Sequence, residues 1–169
     1  INLNTHREIK LLEDNAALKA KMNELGLRNK EFFKVDIGDV VLDAWMIKPI
    51  NFDPQKKYPL LFHVYGEPAG STVQDNWGTG DNLWHQYLSN QLGYIIISID
   101  NRGTRVPRGR DFRKSIYRQI GLLAADDQAK AAKKIIASYS FVDEKRIGIW
   151  GWSGGGQMSL HCMFRHADV

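Results

Sequence analysis

Short apolar runs separated by glycine, proline or charged residues predict five β-strands in this chain. Two of the runs are joined by Gly38 and Asp39, a pattern typical of an antiparallel hairpin. The run over residues 94–99 shows no alternation of apolar and polar positions, which indicates a strand covered on both faces. The predicted strands cover residues 32–37, 40–48, 60–65, 94–99 and 146–150.

Other segments repeat their apolar residues at the three- or four-residue spacing of an amphipathic helix. The clearest helix has acidic residues near its start and lysines further on, as the helix dipole favours. Its apolar stripe consists of Ala125, Ala129, Ala132 and Ile136. Two more helices are predicted over residues 81–91 and 154–165. A shorter helix near the N-terminus places on one face Leu18, Met22 and Leu25.

Strands that alternate with helices predict an α/β fold with a mostly parallel sheet and helices on both faces. The hairpin adds antiparallel strands at one edge of that sheet. The pattern before residue 31 is different, because a strand-like segment over residues 8–12 precedes the short helix. Asp14 or Asn15 caps this helix and Gly26 ends it in our interpretation. We interpret residues 1–30 as a tail or connecting segment.

Composition is typical of one globular domain, since 43% of the 169 residues are hydrophobic and 25% are charged. No apolar run approaches the roughly 20 residues that cross a bilayer, so no membrane span is predicted. The start has neither an initiator Met nor the features of a signal peptide, and we expect a piece of a longer chain. The single cysteine, Cys162, cannot close an internal disulfide and is expected to be a buried thiol.

The net charge of +4 comes largely from one basic segment that follows the fourth predicted strand. Its members are Arg102, Arg105, Arg108, Arg110, Arg113, Lys114 and Arg118. We expect a solvated loop at the rim of the domain, and the alternative is a surface that attracts an anionic partner. No nucleic-acid partner is predicted.

Candidate chemistry is concentrated at residues 151–155, which match the pattern G-x-S-x-G. The motif lies between a predicted strand and a predicted helix, the setting that a nucleophile elbow requires. In an elbow the serine, here Ser153, has a strained backbone that projects its hydroxyl, and the flanking glycines avoid collisions with neighbouring backbone. The alternative is a glycine-rich helix start that packs on a strand and has no catalytic role.

An acyl-transfer site also needs donors for the oxyanion of the tetrahedral intermediate. We expect the backbone N–H of Gly154, which follows the nucleophile, to be one donor. The second donor should come from the loop after the strand over residues 60–65, where the hydroxyl of Tyr65 is suitably placed. Taken by itself, Tyr65 is more simply explained as an ordinary aromatic residue at a strand end.

A general base is not apparent in the sequence. None of the five histidines follows the order Ser, Asp or Glu, then His that this fold uses. His161 lies eight residues after Ser153 on the same predicted helix, about 12 Å along its axis, which is beyond hydrogen-bond reach. We expect structural roles for the other histidines and an exposed charge at Asp168. The sequence has no phosphate-loop motif and no cysteine or histidine pattern for zinc, so no cofactor or metal is predicted.

Several separate stretches resemble the prolyl oligopeptidase family of serine peptidases, and most nearly its dipeptidyl peptidase IV branch. The matching stretches occur in the same order and cover residues 11–15, 17–18, 57–61, 64–65, 100–103, 141–143 and 146–153. The resemblance implies a peptidase that removes dipeptides or similar short units from peptide N-termini, usually after proline or alanine. It also implies that Ser153 is the nucleophile and that the Tyr65 hydroxyl donates to the oxyanion.

The same resemblance implies a domain organisation. Residues 1–30 would be the exit strand of a β-propeller and a connecting helix, and residues 31–169 would be the first part of an α/β-hydrolase domain. The triad Asp and His would lie downstream, and the acidic residues that hold the substrate amine would lie in the propeller. A peptide substrate, a homodimer and a periplasmic or extracellular location are further expectations from the resemblance.

Two residues depart from the family pattern. Gly154 stands where dipeptidyl peptidase IV has a tyrosine that walls the proline pocket, so we expect that pocket to be wider or differently walled. Glu67 stands where the family commonly has glycine, which places a carboxylate near the expected oxyanion site. An acylaminoacyl-peptidase or esterase activity is therefore an alternative, and a catalytically inactive binding protein is an alternative of another class.

Overall fold

The computed structural model describes residues 1–76 and 80–169, except for the side chains of residues 80 and 81. Within these residues a five-stranded sheet has the order β1-β2-β4-β3-β5. The strands are β1 (Glu31–Asp36), β2 (Val41–Ile47), β3 (Tyr58–His63), β4 (Ile95–Asp100) and β5 (Val142–Trp150). All five coincide closely with the apolar runs of the sequence.

The sheet is mixed, with its antiparallel part at one edge. Strands β1 and β2 form the predicted hairpin, and β2 also pairs antiparallel with β4. Strand β3 pairs in parallel with both β4 and β5. The prediction of a partial α/β-hydrolase fold with an N-terminal hairpin is confirmed, and the carboxyl ends of β3, β4 and β5 meet at the same edge.

Five helices accompany the sheet in the described part of the chain. They are α1 (Ala16–Glu24), α2 (Gly80–Leu92), α3 (Gly109–Lys114), α4 (Leu122–Ser138) and α5 (Gly154–Arg165). The six-residue helix α3 was not predicted, because it has no apolar repeat and buries only Phe112. The other four lie close to their predicted positions.

Helices cover both faces of the sheet, as predicted. Leu88 of α2 packs with Trp45 and Ile96 on one face. Ile135 of α4 packs with Ala44 and Ile97 on the opposite face. Since successive residues of a strand point to opposite sides, this alternation along β2 and β4 separates the two cores. Helix α5 packs on α4 and β5, so it lies on the α4 side.

The N-terminal segment differs from its prediction. Residues 8–12 form no strand, because no described residue pairs with them, and α1 buries none of its side chains. Asn15 precedes α1 in a left-handed conformation and makes no side-chain cap, although the Asp14 carboxylate accepts a hydrogen bond from the Ala16 N–H. Gly26 follows the helix with φ 62°, as expected of a terminating glycine. The assignment of residues 1–30 to a propeller exit stays a prediction.

The basic segment is only partly the solvated loop that we expected. Arg102 forms a two-point ion pair with buried Asp127 of α4 and a second ion pair with Asp39 of the hairpin turn. Arg108 donates to the Val41 carbonyl and lies over the Phe112 ring. These two arginines therefore connect elements of the fold. The members that are solvent-exposed without such contacts to described residues are Arg105, Arg110, Arg113 and Lys114.

Among the described helices, none has the length and apolar character that a bilayer crossing requires.

Candidate active site

The G-x-S-x-G motif forms a sharp turn between β5 and α5. Strand β5 ends at Trp150, α5 begins at Gly154, and Ser153 directly precedes the helix with φ 54° and ψ −117°. Few residues other than glycine adopt a positive φ, so this backbone stores strain of the kind found at functional sites. The Ser153 side chain is exposed and makes no hydrogen bond within the described part of the chain. The turn thus presents the Ser153 hydroxyl at the carboxyl edge of the sheet.

The glycines at the two ends of the motif are required by close packing against β3. A Cβ atom on Gly151 would overlap the Val64 carbonyl oxygen and lie 2.7 Å from the Cα of Gly155. A Cβ atom on Gly155 would overlap the same Val64 oxygen. The Val64 N–H donates to the Trp150 carbonyl over 3.0 Å, which extends the β3–β5 pairing into the turn. The elbow is therefore held directly on the end of β3.

Gly154 and Tyr65, from which the two oxyanion donors are expected, belong to this turn and to the loop beside it. Gly154 occupies the first turn of α5, where backbone N–H groups have no partner within the helix and the helix dipole favours negative charge. Tyr65 follows β3, and its Cα would lie 3.4 Å from a Cβ atom on Gly155. The Tyr65 ring lies against Gly70, and its hydroxyl makes no hydrogen bond with any described residue. The structure therefore places the Tyr65 backbone beside the turn at residues 153–155, and the roles of Gly154 and Tyr65 as oxyanion donors stay predictions.

A buried polar network fixes the loop that carries Tyr65. The Asn101 side-chain amide donates to the Gly66 carbonyl over 3.1 Å. Gln128 of α4 donates to the Asn101 oxygen over 3.0 Å and to the Ile99 carbonyl over 2.8 Å. The sequence motifs assigned no role to Asn101 or Gln128. A signal was present, because a glutamine within the alanine-rich apolar stripe of a helix is expected to have a buried partner.

Glu67, which departs from the family pattern, packs directly on Gly154. A Cβ atom on Gly154 would lie 2.5 Å from Glu67 Oε1 and 2.8 Å from Glu67 Cγ. The space left by glycine at position 154 is thus occupied. The expectation of a wider or differently walled pocket at this position stays a prediction.

The histidines lie elsewhere in the structure. His161 packs against Gly121, and His166 contacts the Asp126 carboxylate at 2.9 Å. The His63 and His85 rings contact each other and the Trp150 ring in tilted or edge-on arrangements. None of these contacts involves Ser153. These contacts therefore identify no general base for Ser153 among the described residues.

The remaining titratable candidates have structural explanations. Burial, with a smaller contribution from Asp126, raises the pKa of the Cys162 thiol to about 11, so this thiol stays protonated and unreactive at neutral pH. Asp168 is exposed and forms an ion pair with Lys133, which lowers the pKa of its carboxyl. Among the described residues, no three His, Cys, Asp or Glu side chains come together as metal ligands.

His85 is a buried histidine whose titration the fold changes strongly. Burial, together with the neighbouring His63 and Lys30, lowers the pKa of His85 to about 3, so its ring is neutral at physiological pH. Its Nε2 atom is buried without a hydrogen-bond partner in the described part of the structure. The rings of His63 and His85 support the end of β5 from the α2 side, opposite to α4 and α5.

Comparison with known proteins gives a family match over residues 80–169, to the model described as "Prolyl oligopeptidase family". The chain is 40% identical over 155 residues to "Prolyl endopeptidase FAP" of Bos taurus, a match that covers 92% of this chain and 20% of the relative. It is 38% identical over 161 residues to "Probable dipeptidyl peptidase 4" of Emericella nidulans, covering 94% of this chain and 20% of that protein.

A solved structure supports the same relationship. The crystal structure of Porphyromonas gingivalis dipeptidyl peptidase 4 superposes with a TM-score of 0.85 at 39% identity, over 94% of this chain and 22% of that one. The chain spans about a fifth of the length of the curated relatives that it matches. The similarity therefore concerns one part of these larger proteins.

Proposed function

Because its residues 80–169 match the family model, the chain belongs to the prolyl oligopeptidase family, and we propose that it is the nucleophile-bearing segment of a longer serine peptidase. The single observation that carries the proposal is the strained conformation of Ser153 on the turn between β5 and α5. In a family of serine peptidases, an exposed serine hydroxyl in this setting is best explained as the attacking group.

The proposed reaction is acyl transfer. Ser153 Oγ forms a bond to the carbonyl carbon of the scissile peptide while a general base outside this chain takes the hydroxyl proton. The Gly154 N–H and the Tyr65 hydroxyl donate to the oxyanion of the tetrahedral intermediate. The C–N bond then breaks, the amine leaves with the proton, and water releases the acyl group from Ser153 in the second half of the reaction.

The proposed substrates are peptides from which a short N-terminal unit, a dipeptide in the first instance, is removed. The names of the fungal and bacterial relatives support this substrate class. Preference for proline does not follow, because Gly154 replaces the tyrosine that walls the proline pocket in the dipeptidyl peptidase IV pattern. Substrates with alanine or another residue before the scissile bond should therefore be tested alongside substrates with proline.

Fluorophosphonate labelling of the full-length protein tests this proposal. We expect Ser153→Ala to abolish labelling, because the probe reacts with an activated serine hydroxyl. Ser138→Ala is the matched control, since Ser138 lies exposed at the end of α4 and its hydroxyl donates to the Lys134 carbonyl. Labelling that persists in Ser153→Ala would show that another residue is the nucleophile.

The same protein tests the second oxyanion donor. Tyr65→Phe removes the hydroxyl and keeps the ring, and we expect kcat on a dipeptidyl amide substrate to fall roughly 100-fold. Tyr117→Phe, on an exposed side chain of the basic segment, provides the control. An unchanged kcat in Tyr65→Phe would exclude the hydroxyl as a donor and leave the role of Ser153 intact.

A further inference from the structure

Glu67 lies directly against the proposed nucleophile turn. Its side chain fills the space beside Gly154, the residue after Ser153, with Cγ and Oε1 within 3 Å of the position that a Cβ atom on Gly154 would take. Gly154 is also the proposed N–H donor to the oxyanion. The Glu67 carboxylate therefore lies next to the point where negative charge develops in the reaction.

The carboxylate has no charged partner among the described residues. Unlike Asp127, which is neutralised by Arg102, Glu67 forms no ion pair or side-chain hydrogen bond in this part of the structure. It is half-buried, so solvent screens its charge incompletely. An unpaired carboxylate in such a place repels an oxyanion unless a cation lies between or beside them.

The position of Glu67 is built into the fold. The preceding residue, Gly66, has φ 77°, and its carbonyl is held by the buried Asn101 amide at 3.1 Å. A Cβ atom on Gly66 would lie 2.7 Å from Met158 of α5, so the loop packs tightly on the helix that follows Ser153. After Glu67 the chain turns, and the Gly70 N–H donates to the Glu67 carbonyl over 3.4 Å. The loop backbone is thus held on both sides of Glu67, which keeps this residue beside Gly154.

We propose that Glu67 is a specificity-determining residue that favours substrates with a basic side chain on the residue whose carbonyl Ser153 attacks. That residue carries the oxyanion and is the part of the substrate nearest to Gly154, because the donor N–H must lie about 3 Å from the oxygen. A Lys or Arg side chain there would pair with Glu67 and offset its repulsion of the oxyanion. The inference rests on the proposed peptidase function of this same site.

The test compares dipeptidyl amide substrates with Arg, Lys, Ala or Pro before the scissile bond, using the full-length protein. We expect kcat/KM to be higher for Arg and Lys than for Ala. In Glu67→Gln, which keeps the shape and removes the charge, the ratio of kcat/KM for Arg over Ala should fall about tenfold or more, since an incompletely screened ion pair is lost. Glu67→Asp keeps the charge but withdraws it from Gly154, and should retain part of the preference.

Glu144→Gln is the matched control, because it makes the same change in charge at an exposed position at the start of β5. Raising the ionic strength should lower the Arg-over-Ala ratio of the unmodified protein and leave that of Glu67→Gln unchanged. A Glu67→Gln variant that loses activity equally on all four substrates, or keeps the ratio, would overturn the specificity role. Failure of the protein to cleave any of the substrates, together with no fluorophosphonate labelling of Ser153, would instead reject the peptidase function itself.

Discussion

Three glycines close to Ser153 lie in different surroundings, although the sequence presents them as one glycine-rich run. Gly151 and Gly155 both face the Val64 carbonyl oxygen, which belongs to rigid backbone at the end of β3. A Cβ atom on Gly156 would meet only the Gly151 carbonyl oxygen, at 3.4 Å, which is ordinary van der Waals contact. The G-x-S-x-G pattern is thus explained by steric contact at specific backbone atoms.

Alanine substitutions at these three glycines should therefore differ in their effect on stability. We expect Gly151→Ala and Gly155→Ala each to lower the free energy of unfolding by about 2 kcal/mol or more, because the new methyl group must displace backbone. Gly156→Ala is the matched control and should raise the free energy of unfolding by about 0.5–1 kcal/mol, since alanine is the better helix former. Urea denaturation of the three variants measures these changes in the free energy of unfolding. Equal effects at all three positions would contradict the packing explanation.

The secondary-structure elements show what a sequence of this kind can predict. All five strands and four of the five described helices are visible as apolar runs or repeats, because most of them bury a continuous face. Helix α3 has no such repeat, since the Phe112 side chain alone anchors it, and the predicted strand over residues 8–12 lacks a described partner with which to pair. Pairing between distant segments depends on the whole fold, so the local pattern of apolar residues does not reveal it.

The candidate site could likewise be predicted from the sequence only where its features are local. The strained turn at Ser153 follows from the motif, because the turn chemistry is local, and the donor role of Tyr65 stays a prediction. The contact between Glu67 and Gly154 and the network of Asn101 and Gln128 join segments far apart in the chain, so no spacing reveals them. The sequence indicated Glu67 as a departure from the family, and only the structure shows which residue it touches.

The packing of α2 on the sheet should make stability depend on pH through His85. The folded pKa of about 3 lies below the ordinary value of 6.5, so the unfolded chain binds a proton more readily than the folded one. Stability is therefore full above pH 6.5 and decreases as pH falls toward 3. At pH 5 the loss from this group is about 2 kcal/mol, at about 1.4 kcal/mol per pH unit.

Unfolding measured between about pH 7 and pH 5 tests this dependence. His85→Phe keeps an aromatic ring against Trp45 and Trp150 and removes the titration, so its stability should change less over this range. His6→Gln, in the exposed N-terminal segment, is the control and should follow the unmodified protein. If His85→Phe shows the same slope as the control, His85 is not the source of the pH dependence.

The molecule as a whole exposes an apolar surface beside its edge strand β5. Three side chains of α5 form it, with exposed fractions of 52% for Leu160, 57% for Met163 and 80% for Phe164. Among the described strands β5 lies at one end of the sheet order, so its outer hydrogen-bonding groups have no described partner strand. An exposed apolar surface next to an open strand edge favours association.

A polypeptide of these 169 residues alone should therefore self-associate. We expect sedimentation velocity at micromolar concentration to show dimers or larger species, and the double variant Met163→Glu/Phe164→Glu to shift the distribution toward monomer, because it replaces exposed apolar area with like charges. Leu3→Glu/Leu12→Glu changes two exposed apolar residues of the N-terminal segment and serves as control. A monomeric unmodified chain, or equal effects of the two double variants, would contradict the assignment of this surface.

The contact between Glu67 and Gly154 also has an evolutionary consequence. Because the Glu67 side chain occupies the space beside Gly154, a larger residue at position 154 requires that this side chain move away or be replaced by a smaller one. The family pattern has the opposite combination, a large tyrosine after the nucleophile and a glycine at the position of Glu67. We therefore expect the residues at positions 67 and 154 to vary together among relatives.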